Sequence, residues 1–191
     1  MAPRMTVDPA ILLVLRGALC ALFVTAAAHK LRDVGAFHAA VQGYRVLPQV
    51  WTLPAAAGLI AVEAGLAVAL WLPGVAPVAA LAAAALLLLY AAAIQVNLRR
   101  GRHHLDCGCG GAAHRQPIRA ALVARNAALA LAALAAALPA GDRRLAWLDA
   151  VTIAGAIVAL ALLYAAADGL LARAPRLAHL RRLAALEAAH G

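Results

Sequence analysis

The chain has 191 residues, of which 66% are hydrophobic and only 13% are charged. A soluble domain of this length does not need so much apolar surface, so the composition indicates a membrane protein. The formal net charge is +9, but the basic residues lie between apolar runs without a phosphate-binding loop or interleaved aromatic residues, which argues against nucleic acid as a partner.

The first apolar run covers residues 10–28 and reads AILLVLRGALCALFVTAAA. Its closing alanines imitate the cleavage site of a signal peptide, but Arg16 interrupts the run, and Lys30 and Arg32 follow it. These charges favour a retained membrane helix over a cleaved leader.

The segment at residues 29–53 is polar and amphipathic, and it predicts a helix that lies along the membrane interface. Phe37, Val41 and Tyr44 can share one face of this helix. Pro48 is expected to end the helix, because proline interrupts the hydrogen bonds of a helix interior.

Four further apolar runs each approach the ~20 residues that cross a bilayer core. All are expected to be helical, because lipid offers backbone groups no other hydrogen-bond partners. The short PGVAP turn makes the second and third spans a hairpin, and the polar loop 97–117 separates the third span from the fourth. The four runs cover residues 54–72, 78–96, 118–138 and 145–167. The expected fold is an all-α polytopic membrane bundle of about five transmembrane helices, with an interfacial helix after the first.

The chain from Gly169 onward is basic, and leucines recur at every third position among its arginines. This pattern predicts either an amphipathic helix on anionic lipid headgroups or a solvated helical end. We therefore divide the chain into a transmembrane domain at residues 1–170 and a basic C-terminal tail at residues 171–191.

Five spans place the two termini on opposite sides of the membrane. One side receives twelve basic residues, whereas the other receives only Arg4, Arg143 and Arg144. The twelve are Lys30, Arg32, Arg45, Arg99, Arg100, Arg102, Arg115, Arg119, Arg173, Arg176, Arg181 and Arg182. The positive-inside rule therefore predicts a multi-pass inner-membrane protein whose loop 97–117 faces the cytoplasm.

Loop 97–117 contains two cysteines, Cys107 and Cys109, separated only by Gly108. Across one residue the two Cα atoms are at most ~7 Å apart, so a disulfide closes only if the loop curls. The small ring is expected to be strained and easily reduced. The surrounding arginines favour the reactive thiolate, while Asp106 opposes them. The pair is therefore predicted to be a reversible redox centre.

Two other interpretations of the loop stay open. It offers imidazole and thiolate ligands for zinc or copper, although not at the spacing of a zinc finger. This ligand set would be His103, His104, Cys107, Cys109 and His114. The pair could also be two reduced cysteines in a flexible glycine loop. The third cysteine of the chain, Cys20, is expected to be structural, and a relay thiol for the pair is its alternative role.

Three ionisable residues, Arg16, Glu63 and Arg125, interrupt the apolar runs, and such residues normally have a partner within the membrane. We expect Glu63 to pair with Arg125, with Arg16 as the second choice. The pair would fix the register of the helices or transfer protons. Asn126, which adjoins Arg125, and Lys30, which follows the first span, are counted with this polar interior. Asp168, near the end of a span, is expected to be solvated.

Several of these features follow one another in a recognisable order. HKLRDVGAFHAAVQGYRVLP follows the first span, Glu63 lies in the second, DCGCGG lies in the loop, and ARNAALAL lies in the fourth span. Over residues 8–170 the chain therefore resembles the MauE family, which is related to DoxX-like membrane proteins. The positions that carry the resemblance are Lys30, Phe37, Tyr44, Pro48, Glu63, Cys107, Cys109, Arg125 and Asn126.

The resemblance implies a membrane protein needed to produce active methylamine dehydrogenase, whose periplasmic small subunit is rich in disulfides. It implies a thioredoxin-like partner of the MauD type and assigns the redox role to Cys107 and Cys109. A cytoplasmic pair would fit import of reducing equivalents, whereas a periplasmic pair would fit oxidation of secreted substrates with a quinone as acceptor. The alternative function, from a different functional class, is that of a non-catalytic membrane scaffold or metal carrier that uses the histidines and cysteines of the loop.

Overall fold

A computed structural model of the chain describes residues 6–108 and 117–190, with side chains as far as residue 173. Within these ranges the chain forms six α-helices and no strand. The helices are α1 (Pro9–Arg32), α2 (Val34–Tyr44), α3 (Gln49–Ala69), α4 (Ala76–Arg99), α5 (Ala120–Ala136) and α6 (Trp147–His190). The all-α architecture expected from the sequence is confirmed.

Four of the described helices are long and apolar enough to span a membrane, namely α1, α3, α4 and the Trp147–Arg173 part of α6. The helix α5 is also apolar but has only 17 residues. This length is at the lower end of the range that crosses a bilayer core. The expected bundle of about five spans therefore consists of four long helices and a short one.

The interfacial helix α2 follows α1 almost directly, because Asp33 ends one helix and caps the next. The Asp33 carboxylate accepts a hydrogen bond from the Ala36 N–H at 2.8 Å, which satisfies one of the free donors at the helix start. The helix ends where Arg45 adopts the left-handed conformation, with φ 48°. The prediction that Pro48 ends α2 is therefore wrong. Pro48 instead precedes α3, where a missing N–H interrupts no helical hydrogen bond.

The core is built from small side chains between α4 and α5 and from larger ones around α1. Small residues let helix backbones approach closely in a membrane. The buried alanines at this contact are Ala79, Ala80, Ala83, Ala84, Ala130, Ala133 and Ala136. Leu19 and Phe23 of α1 complete the same cluster with Leu66 and Leu70 at the end of α3.

The start of α1 and the turn between α5 and α6 lie together on one side of the bundle. The Val7 N–H donates to the Pro139 carbonyl at 3.0 Å, and the Arg143 guanidinium pairs with the Asp8 carboxylate at 2.9 Å. Because α1, α3, α4, α5 and α6 alternate in direction, the end of α1, the helix α2 and the loop between α4 and α5 lie on the opposite side. We call this the loop side.

The last helix runs from Trp147 to His190, a length of about 66 Å at 1.5 Å per residue. It therefore extends well past the ~30 Å hydrocarbon core on the loop side. The predicted fifth span and the tail from residue 171 are thus parts of one helix. The predicted contact of the tail with lipid headgroups depends on side chains after residue 173, which lie outside the described ones, and it stays a prediction.

Candidate functional site

A buried ion pair joins the end of α1 to the middle of α3. The Lys30 ammonium nitrogen donates to Oε1 of Glu63, and only 4% and 1% of the two side chains are exposed. The hydroxyl of Tyr90 in α4 donates to the same carboxylate oxygen at 2.8 Å. One carboxylate therefore connects three helices.

Aromatic rings lie against the Lys30 ammonium group. Its nitrogen is 5.1 Å from the centre of the Phe37 ring and 5.3 Å from the centre of the Tyr90 ring, which is within the range of a cation–π interaction. Lys30 also lies in the last turn of α1, where the helix dipole favours a positive charge. The second oxygen of Glu63, Oε2, is buried without a hydrogen-bond partner among the described residues. The hydrogen-bonding capacity of the site is therefore not filled by its own side chains.

Glu63 pairs with neither of the residues expected from the sequence. Arg125 of α5 instead forms an ion pair with Asp168 of α6, and Nε of Arg16 donates to a backbone carbonyl at the end of α5 at 3.1 Å. The predicted Glu63–Arg125 and Glu63–Arg16 pairs are therefore wrong. The expectation that Asp168 is simply solvated is wrong as well, because this carboxylate neutralises the α5 arginine.

The depth at which α1 ends explains the buried position of Lys30. Lys30 lies two residues before the end of α1, whereas Tyr90, which binds the same carboxylate, lies nine residues before the end of α4. At 1.5 Å per residue, α4 therefore extends about 10 Å farther toward the loop side than α1. The helix α2 and the base of the loop lie over this space, so that only 4% of Lys30 is exposed. Tyr90 was missed by the sequence analysis, although a tyrosine hydroxyl inside an apolar run signals a buried partner.

The buried asparagine Asn126 satisfies its amide within its own helix. Its Nδ2 donates to the Leu122 carbonyl at 2.9 Å, and only 3% of the residue is exposed. Asn97 near the end of α4 makes the equivalent bond to the Ala93 carbonyl at 3.1 Å. Asn126 therefore lies in the interior, as expected, but its described hydrogen bond does not join it to the Lys30–Glu63 pair.

Cys107 lies at the base of the loop between α4 and α5. The base is closed, because Asp106 and Pro117 form an isolated antiparallel bridge. Only 8% of Cys107 is exposed, and it belongs to one buried cluster with Ile94 of α4 and Leu122 of α5. The thiol residue is therefore placed by the ends of two packed helices and not by a free loop tip.

Gly108 brings the loop into contact with α2. Its φ is +71°, which favours glycine, and a Cβ at this position would lie 3.3 Å from the Cβ of Ala40 and 3.5 Å from the Phe37 ring. Phe37, Val41 and Tyr44 were expected to share one face along the interface. Phe37 and Val41 pack against α3, and Tyr44 packs against the thiol cluster, so this face is turned into the protein.

Two cavities meet beside the thiol. The first, which we call the polar cleft, has a volume of about 440 Å³ and carries the polar side chains of His29, Lys30, Asp33, His104 and Asp106. The second, which we call the apolar cavity, has a volume of about 520 Å³, lies between α2, α3 and α4, and includes Cys107 in its wall. Lys30, Phe37, Ala40 and Gly108 line both. These four residues therefore form the partition between a polar space and an apolar one.

Comparison with known proteins identifies the group to which this bundle belongs. A family model described as methylamine utilisation protein MauE matches residues 8–139, which is more than half of the chain. The chain belongs to the MauE family.

Three MauE proteins illustrate the relationship. The methylamine utilization protein MauE of Paracoccus denitrificans is 46% identical over 69% of this chain and 70% of that protein. The MauE protein of Methylorubrum extorquens is 38% identical over 84% of this chain and 81% of its own length. The MauE protein of Methylophilus methylotrophus is 36% identical over 84% of this chain and 86% of its own length. No solved structure matches the chain.

The region matched by the MauE family contains the ion pair and the thiol. Lys30, Glu63, Tyr90 and Cys107 all lie between residues 8 and 139, whereas Asp168 lies beyond them. The site around the two cavities therefore belongs to the MauE part of the chain.

Two predictions for this member of the MauE family concern residues outside the described ranges. Cys109 and His114 lie there, so the geometry of the thiol pair and the five-residue metal set stay predictions. Within residues 6–108 and 117–190, no group of three or more His, Cys, Asp or Glu side chains is arranged to hold a metal ion.

Cys20 is half-buried in α1 and packs against the main core cluster. It lies ten residues before Lys30, a separation of about 15 Å along the helix. Its packing is that of the structural thiol expected from the sequence, and a direct relay from Cys20 to the cavity wall would have to bridge this distance.

Proposed function

We propose that this MauE-family protein is an integral membrane thiol–disulfide redox protein that works with a thioredoxin-like partner of the MauD type. The observation that carries the proposal is the position of Cys107. It lies one residue from a second cysteine, in the wall of a cavity, and next to the glycine that separates the two cavities. A purely structural thiol needs neither a second thiol at this spacing nor a place in a cavity wall beside the residue that lines both cavities.

The proposed exchange proceeds through a mixed disulfide. A thiolate of the partner attacks one sulfur of the Cys107–Cys109 disulfide, a bond forms between these two sulfurs, and the other sulfur leaves as a thiolate. The partner's second thiolate then attacks the mixed disulfide, so that the pair ends as a dithiol and the partner as a disulfide. The reverse sequence of steps transfers the two electrons from the pair to the partner.

The polar cleft is the surface from which we expect a water-soluble partner to approach. It carries the imidazoles of His29 and His104 and the carboxylates of Asp33 and Asp106, which can form hydrogen bonds across a wet interface. The apolar cavity cannot serve this purpose, because its wall is formed almost entirely by carbon atoms.

We further propose that the protein lies in the inner membrane and supports maturation of an extracytoplasmic client that contains disulfides. A client of the type of the methylamine dehydrogenase small subunit is consistent with the names of the three relatives, each of which is a methylamine utilization protein. Such a client depends on correct thiol chemistry. With the loop in the cytoplasm, the Cys107–Cys109 pair would supply it by import of reducing equivalents, and with the loop outside, by oxidation through the partner.

Serine variants of the two loop cysteines test the proposal. Acid quenching of cells followed by alkylation should show the native pair cycling between dithiol and disulfide. The variants Cys107→Ser and Cys109→Ser should each stop client maturation, and one of them should accumulate a mixed disulfide with the partner. The matched control is Cys20→Ser, which should leave maturation unchanged because Cys20 packs in the core of α1. Full maturation in the double serine variant would disprove the redox role and leave a scaffold or metal carrier.

A further inference from the structure

The opening of the apolar cavity is lined by exposed apolar side chains, as expected for a site that a ligand enters from the bilayer. Its rim includes Val46 and Leu47 before α3 and Leu89 on α4, of which 44%, 44% and 57% are exposed. In a protein that spans a membrane, an exposed leucine on a spanning helix, such as Leu89 on α4, faces lipid. Val46 and Leu47, in the connection between α2 and α3, extend this apolar rim toward the loop side. A molecule dissolved in the bilayer can therefore reach the cavity without crossing the polar cleft.

The wall of this cavity also presents polar groups at buried positions. The Lys30 ammonium carries three N–H donors, and its described hydrogen bond to Glu63 uses one of them. Tyr90 and Cys107 lie in the same wall. A lipid acyl chain has no oxygen atom that such a donor could bind, whereas an apolar ring with carbonyl oxygens matches both the carbon surface and the ammonium group.

We propose that the apolar cavity binds the ring of a lipid-soluble quinone, with Lys30 donating to a ring carbonyl oxygen, and that this quinone accepts electrons from the Cys107–Cys109 dithiol. The inference rests on the proposed function, because it names the oxidant of the same thiol pair. Its argument is the coincidence, in one wall, of the thiol, the buried ammonium and a mouth that faces lipid.

The reaction is balanced in electrons and protons. The two thiols lose two protons and two electrons as the bond between the two sulfur atoms forms, and the two carbonyl oxygens of the quinone gain them to give a quinol. The Lys30 ammonium stabilises the negative charge that develops on the nearer oxygen. Glu63 is a positioning residue that holds the ammonium at the wall. The orientation of the protein determines which thiol pool is oxidised and not whether the reaction occurs, because a lipid-soluble quinone reaches both leaflets.

Two glycines of α3 provide a matched test of the cavity. Gly58 lines the apolar cavity and Gly65 does not, and both are exposed with no atom within 4 Å of a Cβ placed on them. The variants Gly58→Leu and Gly65→Leu therefore add the same side chain to the same helix, with open space around the new Cβ in both cases. Only the first variant fills space that the quinone ring would occupy.

The experiment uses the full chain in lipid nanodiscs, with its thiols reduced and the reductant removed. Decylubiquinone is added, its reduction is followed by ultraviolet absorbance, and disulfide formation is followed by alkylation. The native protein should form one quinol per disulfide. Gly58→Leu should react at least about tenfold more slowly, because its side chain occupies cavity volume that the ring needs, whereas Gly65→Leu should react as the native protein does. Lys30→Met should also be slow but should still exchange disulfides with a small dithiol.

The outcomes separate this inference from the proposed function. If the pair cycles with a dithiol but the native protein does not reduce the quinone, the quinone inference is wrong and the redox function stands. If both glycine variants reduce the quinone equally well, the reaction does not take place in the apolar cavity, and the inference is again wrong. If the pair does not cycle with any thiol reagent, the proposed function itself fails.

Discussion

Replacing Lys30 by methionine removes the ammonium from the buried ion pair and keeps most of the side-chain volume. Glu63, of which 1% is exposed, then keeps only the described hydrogen bond from Tyr90. Breaking a buried pair by removing one partner destabilises a protein by roughly 3–5 kcal/mol. Since 1 kcal/mol corresponds to about 2–4 °C for a chain of this size, the midpoint of thermal unfolding should fall by about 6–20 °C.

The double variant Lys30→Met/Glu63→Gln provides the internal check. It removes both charges together, so its midpoint should lie above that of Lys30→Met alone, as expected for two residues in direct contact. All variants are melted in the same detergent and followed by tryptophan fluorescence. The control is Arg125→Met, which breaks a pair whose side chains are 12% and 28% exposed and should lower the midpoint less, because solvent screens it. The reasoning is refuted if Lys30→Met has the same thermal midpoint as the native protein. It is also refuted if the double variant has a lower midpoint than Lys30→Met.

Three further predictions concern backbone contacts and orientation. Gly108→Val should slow disulfide exchange at the loop, because φ is +71° at this position and the new Cβ would lie 3.3 Å from the Cβ of Ala40 in α2. Unchanged exchange kinetics in a stopped-flow thiol assay would show that this contact is unimportant. Gly17→Leu should lower the thermal midpoint, because a Cβ at this position would overlap Ile157 of α6, and an unaltered midpoint would contradict this close approach of the two helices. The surplus of basic residues on the loop side predicts that this side faces the cytoplasm. In a cysteine-free background, a single cysteine at position 99 should therefore react with an impermeant maleimide only after permeabilisation, whereas one at position 144 should react in intact cells. The opposite labelling pattern would show that the protein has the reverse orientation.

The helical spans could be predicted from the sequence because each depends only on the apolar residues within it. The third run was expected at residues 78–96, and α4 covers Ala76–Arg99. The second was expected at residues 54–72, and α3 covers Gln49–Ala69. The main discrepancy is the end of α2, which depends on the left-handed conformation of Arg45 and not on the later proline.

Partners between helices could not be predicted in the same way. Hydropathy shows how far a residue lies along its own span, but not which other span faces it. Glu63 was therefore matched to the arginines within the apolar runs, and Lys30, although counted with the same polar interior, was not recognised as its partner. Its burial follows from α1 ending earlier than α4 on the loop side and from the cover that α2 provides. The same arrangement creates the apolar cavity, which no pattern in the sequence indicates.

The thiol pair itself could be recognised from two cysteines separated by glycine, but the surroundings of Cys107 could not. The thiol was expected in an exposed loop among arginines. The structure instead places Cys107 against Ile94 of α4, five residues before the end of that helix, because the closed base of the loop packs onto the helix ends.

This position determines what a soluble protein must do to meet the thiol. Cys107 packs in one cluster with Ile94, which lies five residues, or about 7.5 Å, before the end of α4. A partner protein that stays beyond the end of α4 would fall short of the sulfur. Contact requires one of two changes. Either a narrow protrusion of the partner protein enters between the helix ends, or the segment that contains Cys107 moves away from its apolar contacts. In the proposed exchange, the rate would then be governed by an insertion event at the membrane surface and not by the collision of two exposed thiols.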